Sequence, residues 1–297
     1  MTSRLIFRAM MGFYVVLFFG FLFGPLVVMT ITAFNTPTYP QAWPFEGFTI
    51  EWFTALLRDR AMMEGIRASL LIGLLVVLLS VPLGLAGALM MTQIDAAVRP
   101  IYYVVVISPV LTPGVIIGIS TVIFWRDVIN VTGADRLYDG ILLTTLGQAT
   151  FISAYCMLIF LARLQRFDRT QQEAALDLGA TPFQVFRHIL LPFLRPAIVS
   201  AAVIAFLSSF ENYNTTTFAI LAEKTLTTVL AGRVRSGTTP SVSALAVVII
   251  GITVVGAVLY GIAKVAEERR ADRRRAAAAR AEREEEMLLP AASQAGG

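Results

Sequence analysis

Long apolar runs separated by short charged clusters set the first map of this chain. Residues 9–45, 68–94, 100–125, 140–162 and 236–263 contain no Asp, Glu, Lys or Arg, and 196–222 is interrupted only by Glu211. Each run can supply the ~20 apolar residues that carry a helix across ~30 Å of hydrocarbon. The pattern predicts an all-α membrane protein with six helices near 11–33, 68–91, 101–124, 140–162, 197–219 and 241–263. The first run follows Arg4 and Arg8 but extends well past the ~7–15 apolar residues of a signal peptide and closes on no small-x-small cleavage site, so it is expected to be an uncleaved span.

Prolines 25, 82, 109, 113 and 196 and glycines such as Gly84, Gly114 and Gly118 fall within or at the ends of these runs. Helix bundles tolerate them because neighbouring helices re-satisfy freed backbone groups and glycine permits close approach. No internal repeat of the two-halved transporter kind is present, and six spans make a thin wall for a solute pore. That points to assembly with another copy or a similar subunit. The expected division is a membrane domain over 1–266 and a charged tail over 267–297. Ala271–Glu286 extends the last span as a solvated helix, and Leu288–Gly297 forms a frayed end.

Composition agrees with a membrane protein. Of 297 residues, 57% are hydrophobic and 15% charged, against ~45–50% and ~25% in soluble domains. An ordinary soluble enzyme and a disordered chain are both excluded. The net charge of +4 comes from 24 basic and 20 acidic groups clustered between neutral runs, a membrane-loop pattern rather than a nucleic-acid surface. The single cysteine, Cys156, excludes an intrachain disulfide and multi-cysteine metal motifs. With the N-terminus inside, 16 basic residues fall on the inner face and 8 on the outer. Without the eight of the tail the balance is even, and the compact 163–195 loop decides for cytoplasmic termini.

That loop differs from the other connections. Gln171–Leu178 is a run of helix formers closed by Gly179; Thr181 then caps a second helix, with Pro182 in its first turn and Gln184 completing a capping box. Phe183, Phe186 and Leu190 give the second helix an apolar stripe, Pro192 is expected to end it and Pro196 to introduce the fifth span. Such a stripe fits a groove on another protein, or it folds back on the bundle's own helix ends or the lipid headgroups.

The same loop carries a recognisable spacing. Glu173-Ala174-Ala175, three residues, Gly179, nine residues and Ile189-x-Leu191-Pro192 match seven positions of the EAA signature. In this the chain resembles the membrane permease subunit of a binding-protein-dependent (type I) ABC importer. The resemblance implies that the loop is cytoplasmic and docks on an ATPase subunit. Glu173 would be the charged contact, Ala174 and Ala175 the close-approach positions, Gly179 the turn, and Phe183 and Phe186 the apolar stripe. A plainer role for Glu173 is an acid in the first helical turn, where the helix dipole favours it.

Glu211 is the one ionisable residue well inside a predicted span, where a carboxylate usually faces a cavity or a partner. It belongs to a polar helical run, Ser208 to Thr217, suited to a water-filled path for a cationic or hydroxyl-rich solute. A gate, a hydrogen-bond cluster between helices, or solvation at the outer end would also account for it. Ser209-Phe210-Glu211 resembles the Ser-Phe-acidic run in the second permease subunit of spermidine/putrescine-type importers, which typically has a second acid where this chain has Asn212. The resemblance implies a solute path through Ser209, Phe210, Glu211 and Tyr213, the two aromatics offering cation–π faces.

Chemistry on this chain is not expected. There is no G-x-x-x-x-G-K-[ST] phosphate loop; His188 is the only histidine, so H-E-x-x-H is impossible; and an aspartyl site lacks its second intramembrane acid. A receptor or scaffold binding through the 171–191 loop is the different-class alternative. The resemblance implies a bacterial inner-membrane permease with no cofactor of its own, ATP and Mg²⁺ belonging to the ATPase. Its partners would be a second permease, two ATPase copies, a periplasmic binding protein and the lipid bilayer, with no nucleic acid. Polyamines are the first-choice solute, with other organic cations, amino-acid derivatives, sugars or metal complexes as alternatives.

Overall fold

The computed structural model describes residues 2–294. It is helical throughout, with no strand among the described residues and one isolated bridge between Asn35 and Phe48. The chain divides into two compact units, Met1–Leu56 with Thr239–Gly297, and Leu57–Thr238. This division follows packing rather than charge and does not coincide with the expected boundary at 266.

In the first unit, α1 (Thr2–Phe34) and α12 (Pro240–Gln294) pack together. The last helix carries the sixth span and the expected tail helix as one element. It also includes most of the segment expected to fray, and 295–297 lie outside the described residues. Between α1 and α2 (Glu51–Arg58) lies an ordered loop.

The second unit is built on α3 (Arg60–Gln93), α6 (Gly140–Leu164) and α9 (Leu191–Phe210). Their shared core contains Ile72 and Val76 from α3, Ile152, Met157 and Phe160 from α6, and Leu194 from α9, all buried. Ala197, Ala201 and Ala205, at four-residue spacing, give α9 a smooth face for close packing. Asp59 caps α3, its side chain accepting the Met62 N–H, and pairs with Arg233 near the end of α11 (Leu226–Ser236).

Six helices are long and apolar enough to span: Ile6–Phe34, Arg60–Gln93, Gly114–Thr132, Gly140–Leu164, Pro182–Phe210 and Pro240–Ala266. Two expected spans are drawn differently. The run at 101–124 is two helices, α4 (Arg99–Leu111) and α5 (Gly114–Thr132), separated at Thr112-Pro113. Thr112 is extended (φ −83°, ψ 132°), as expected for a residue that proline ring sterics push out of the α region. The fifth span ends at Phe210 rather than near 219, so the polar run after it is not a continuous helix.

The start of that fifth span also differs. Pro192 does not end the loop's second helix. From α8 (Pro182–Val185) the chain passes through a π turn, Phe186–Leu190, into α9 without a break. The Leu191 N–H reaches back to the Phe186 carbonyl, a wider turn directly before Pro192, whose missing N–H it accommodates; Pro196 lies further on, inside α9.

After Phe210 the backbone is held by side chains. Gln148, 1% exposed, donates to Thr216 Oγ1 at 2.8 Å and accepts from the Ser209 hydroxyl. Asn212 Oδ1 accepts the N–H groups of Thr215 and Thr216 at 3.1 and 3.3 Å, opening the single turn α10 (Thr216–Ala219). The Asn212 carbonyl receives the Thr216 and Thr227 hydroxyls. This segment lies close against α5 and α6 because glycine leaves room: a Cβ at Gly118 would fall 2.5 Å from the Thr215 carbonyl oxygen, and one at Gly140 would overlap the Ile220 carbonyl.

Gln148→Leu leaves two buried hydroxyls without their amide. At ~0.6 to 1.7 kcal/mol per interhelical hydrogen bond in a membrane, we expect ~1–3 kcal/mol lower stability and faster amide exchange over 211–225. Thermal denaturation in detergent with hydrogen-exchange mass spectrometry checks this, and unchanged exchange would contradict it.

Candidate functional site

Two regions collect the residues singled out from sequence. The first is the 163–195 loop. α7 (Thr170–Asp177) has no buried residue, consistent with an element shaped for another surface. It ends in a Schellman motif: the Gly179 N–H reaches the Leu176 carbonyl at 2.9 Å and the Ala180 N–H reaches that of Ala175 at 3.0 Å. Gly179 takes φ +86°, where a side chain is strained. The predicted capping box forms, with the Gln184 N–H on the Thr181 hydroxyl and the Thr181 N–H on the Gln184 side chain.

At the entry to the loop, Asp168 accepts the Thr170 hydroxyl at 2.7 Å and its N–H at 3.0 Å, and the hydroxyl bond chiefly lowers the Asp168 pKa below the usual carboxylate value. Arg163 closes the base of the loop. Its guanidinium donates to the Phe193 carbonyl at 3.2 and 3.3 Å and lies 4.0 Å from the centre of the Phe193 ring.

The loop residues do not share one face. Ala175 and Gly179 line a cleft of about 400 Å³ between the loop's helices. Glu173 lines a separate cavity of about 240 Å³ with Thr92, Gln93, Arg169 and Gln172. Ala174 is exposed and lines neither. The expected stripe is divided: Phe186 and Leu190 are half-buried, whereas Phe183 is 67% exposed. Leu178, 89% exposed and not singled out from sequence, adds an apolar tip beside Gly179. The signal for it was an apolar residue at the helix cap, where no core position demands one.

The second region is the end of the fifth span. Glu211 is the C-cap residue of α9 and is exposed. With Tyr213, Asn214, Ser208, Phe151 and Tyr155 it lines a cavity of about 370 Å³, within the usual range for small-molecule sites. Phe151 and Tyr155 meet edge to face, with centroids 6.3 Å apart. Arg235 reaches this rim from outside, donating to the Tyr213 hydroxyl at 3.0 Å.

The structure separates the other two expected path residues from this cavity. Ser209 is turned inward onto Gln148, and Phe210 stacks on Phe206 with centroids 5.9 Å apart. Gln148 was the missed residue; a lone amide in the fourth apolar run was its signal. A larger cavity of about 500 Å³ near Phe124, Trp125 and Thr150 carries no ionisable group. Glu211 therefore supplies the one carboxylate among these membrane cavities that a cationic amine could meet beside aromatic faces.

Residues 80–271 match the family described as binding-protein-dependent transport system inner membrane component. The putrescine transport system permease protein PotI of Escherichia coli (strain K12) is 32% identical over 257 residues, 85% of this chain and 90% of that protein. The spermidine/putrescine transport system permease protein PotC of the same strain is 22% identical over 249 residues, 84% of this chain and 91% of its own length. Among solved structures, a bacterial ABC transporter involved in import of the acidic polysaccharide alginate shares the fold. Its TM-score is 0.65 at 19% identity, covering 87% of this chain and 94% of that one. Six apolar helices, an EAA loop and a family match across most of the chain lead to one conclusion: this chain belongs to the binding-protein-dependent transport system inner membrane components.

Proposed function

We propose that this chain is a permease subunit of an ATP-driven importer for a polyamine, with putrescine the leading candidate. The observation that carries the reading is Glu211 in a cavity with Tyr155 and Tyr213, in a chain 32% identical to a putrescine permease. A protonated amine would find there a carboxylate and aromatic faces, and the amide and hydroxyl groups of Asn214 and Ser208. In this reading both termini and the 163–195 loop are cytoplasmic, in a bacterial inner membrane. A second permease completes the path, two copies of an ATPase bind ATP and Mg²⁺, and a periplasmic binding protein delivers the solute. The alginate transporter solved with its bound periplasmic protein illustrates such a delivery for that system.

Coupling follows from continuity. Pro182–Phe210 is one helical run of 29 residues, about 43 Å at 1.5 Å per residue. It begins in the docking loop and ends at Glu211. Movement of the ATPases against Glu173, Ala174, Leu178 and Phe183 would act on this run at one end and reorient the solute cavity at the other. The π turn, with Pro192 and Pro196 after it, is where the run's hydrogen-bond ladder is relaxed.

Two outcomes test this. In proteoliposomes holding both permeases, the ATPase and the loaded binding protein, ATP hydrolysis is expected to rise with putrescine or another polyamine. Stimulation only by uncharged or anionic solutes would overturn the polyamine reading. Gly179→Val places a β-branched residue at positive φ, a cost of ~1–2 kcal/mol on the turn. Assembly should survive while solute-stimulated hydrolysis falls at least about tenfold, and unchanged stimulation would remove the loop from coupling.

A further inference from the structure

The loop between α1 and α2 has no role in the transport path described above, yet it is the most deliberately built connection in its unit. Its hub is Asn35, 1% exposed at the end of the first span. Asn35 Nδ2 donates to the Gln41 and Pro44 carbonyls at 3.0 and 3.2 Å, and Oδ1 accepts the N–H groups of Thr36 and Glu46 at 3.1 and 2.9 Å. The Asn35 carbonyl accepts the Trp52 indole N–H at 2.7 Å. The Thr49 N–H returns to the Phe34 carbonyl at 2.9 Å, and Phe34 stacks on Phe48 with centroids 5.3 Å apart. Both ends of the loop are therefore pinned to the last turn of α1.

What this frame presents is aromatic. Trp43 is 86% exposed, Phe48 71% and Tyr39 58%, with Phe45 and Ile50 also outward. No Lys or Arg occurs between Arg8 and Arg58, and Glu46 is engaged by Gln41 Nε2 at 3.3 Å. The surface is thus rigid, apolar to amphipathic, and carries no basic group.

Its height in the membrane follows from the helix beneath it. Arg8 is the last charged residue before the apolar run and belongs at the near hydrocarbon edge. From Arg8 to Phe34 is about 39 Å of helix, or ~37 Å along the membrane normal at the usual ~20° tilt. Subtracting ~30 Å of hydrocarbon leaves Phe34 ~7 Å beyond the far edge, within the ~5–8 Å headgroup layer. The loop leaves from that level and returns to it, above the exposed apolar side chains Val27, Val28 and Ile31 of α1. Trp and Tyr favour this layer because an apolar ring and a polar N–H or O–H are both satisfied there.

We infer that residues 36–50 form an interfacial anchor, a surface fixed by Asn35 that seats Tyr39, Trp43, Phe45 and Phe48 among phospholipid headgroups and fixes the depth of the first span. The test compares the assembled importer carrying the natural sequence with Trp43→Phe in bilayers of phosphatidylcholine brominated near the carbonyl end or near the methyl end of the acyl chain. The difference spectrum isolates Trp43, and the substitution keeps an exposed aromatic ring. We expect blue-shifted Trp43 emission that is quenched more by the shallow bromines than by the deep ones and is inaccessible to aqueous iodide. Red-shifted emission, quenched by iodide and indifferent to bromolipid, would overturn the anchor. Shielding from iodide that appears only when the loaded binding protein is added would also overturn it, making the loop a protein dock instead.

Discussion

Backbone that leaves the helix at membrane depth must find its hydrogen-bond partners within the protein, because lipid offers none. The rest of this structure depends on how that constraint is met after Phe210. Gln148 lies eight residues inside α6, and through Ser209 and Thr216 it fastens both sides of the break. Asn212 then caps the turn that follows. Glu211 is still held by α9, its N–H on the Leu207 carbonyl, and the break turns Tyr213 and Asn214 onto the same cavity before the chain runs on into α11, which is tied to α3 by Ser69 and by the Asp59–Arg233 pair.

The same logic explains Asn212. The subclass that this run resembles typically has an acid at this position; here the Asn212 side-chain oxygen accepts two backbone N–H groups. An aspartate oxygen would accept them equally well. The departure removes a charge beside Glu211 but leaves intact the capping role that the fold requires, so Glu211 is the single carboxylate at this turn.

Much of the fold was legible because hydropathy and capping are local. Five charge-free runs and one broken only by Glu211 located six spans, and Gly179 with Thr181 and Gln184 gave the turn and the start of the next helix. What escaped was of two kinds. Apolar length does not report hydrogen-bond continuity, so Thr112-Pro113 was absorbed into one span and Pro192 was read as a stop, although a π turn carries the helix through it. Pairing across distance was also invisible: Ser209 and Gln148 are 61 residues apart, so a serine that sequence placed in the solute path faces the interior. Of the expected path residues, Glu211 and Tyr213 share the cavity, while Ser209 and Phe210 do not.

The proposed solute path rests on the carboxylate of Glu211. The most direct measurement is the concentration dependence of putrescine uptake into proteoliposomes by the complete importer carrying Glu211→Gln, which keeps shape and hydrogen bonding while removing charge. A charge-assisted contact of ~1.5–3 kcal/mol predicts a KM raised about tenfold or more with assembly and basal ATP hydrolysis retained. An unchanged KM, with uptake as fast as that of the natural sequence, would show that Glu211 is a solvated helix cap and that the solute passes elsewhere.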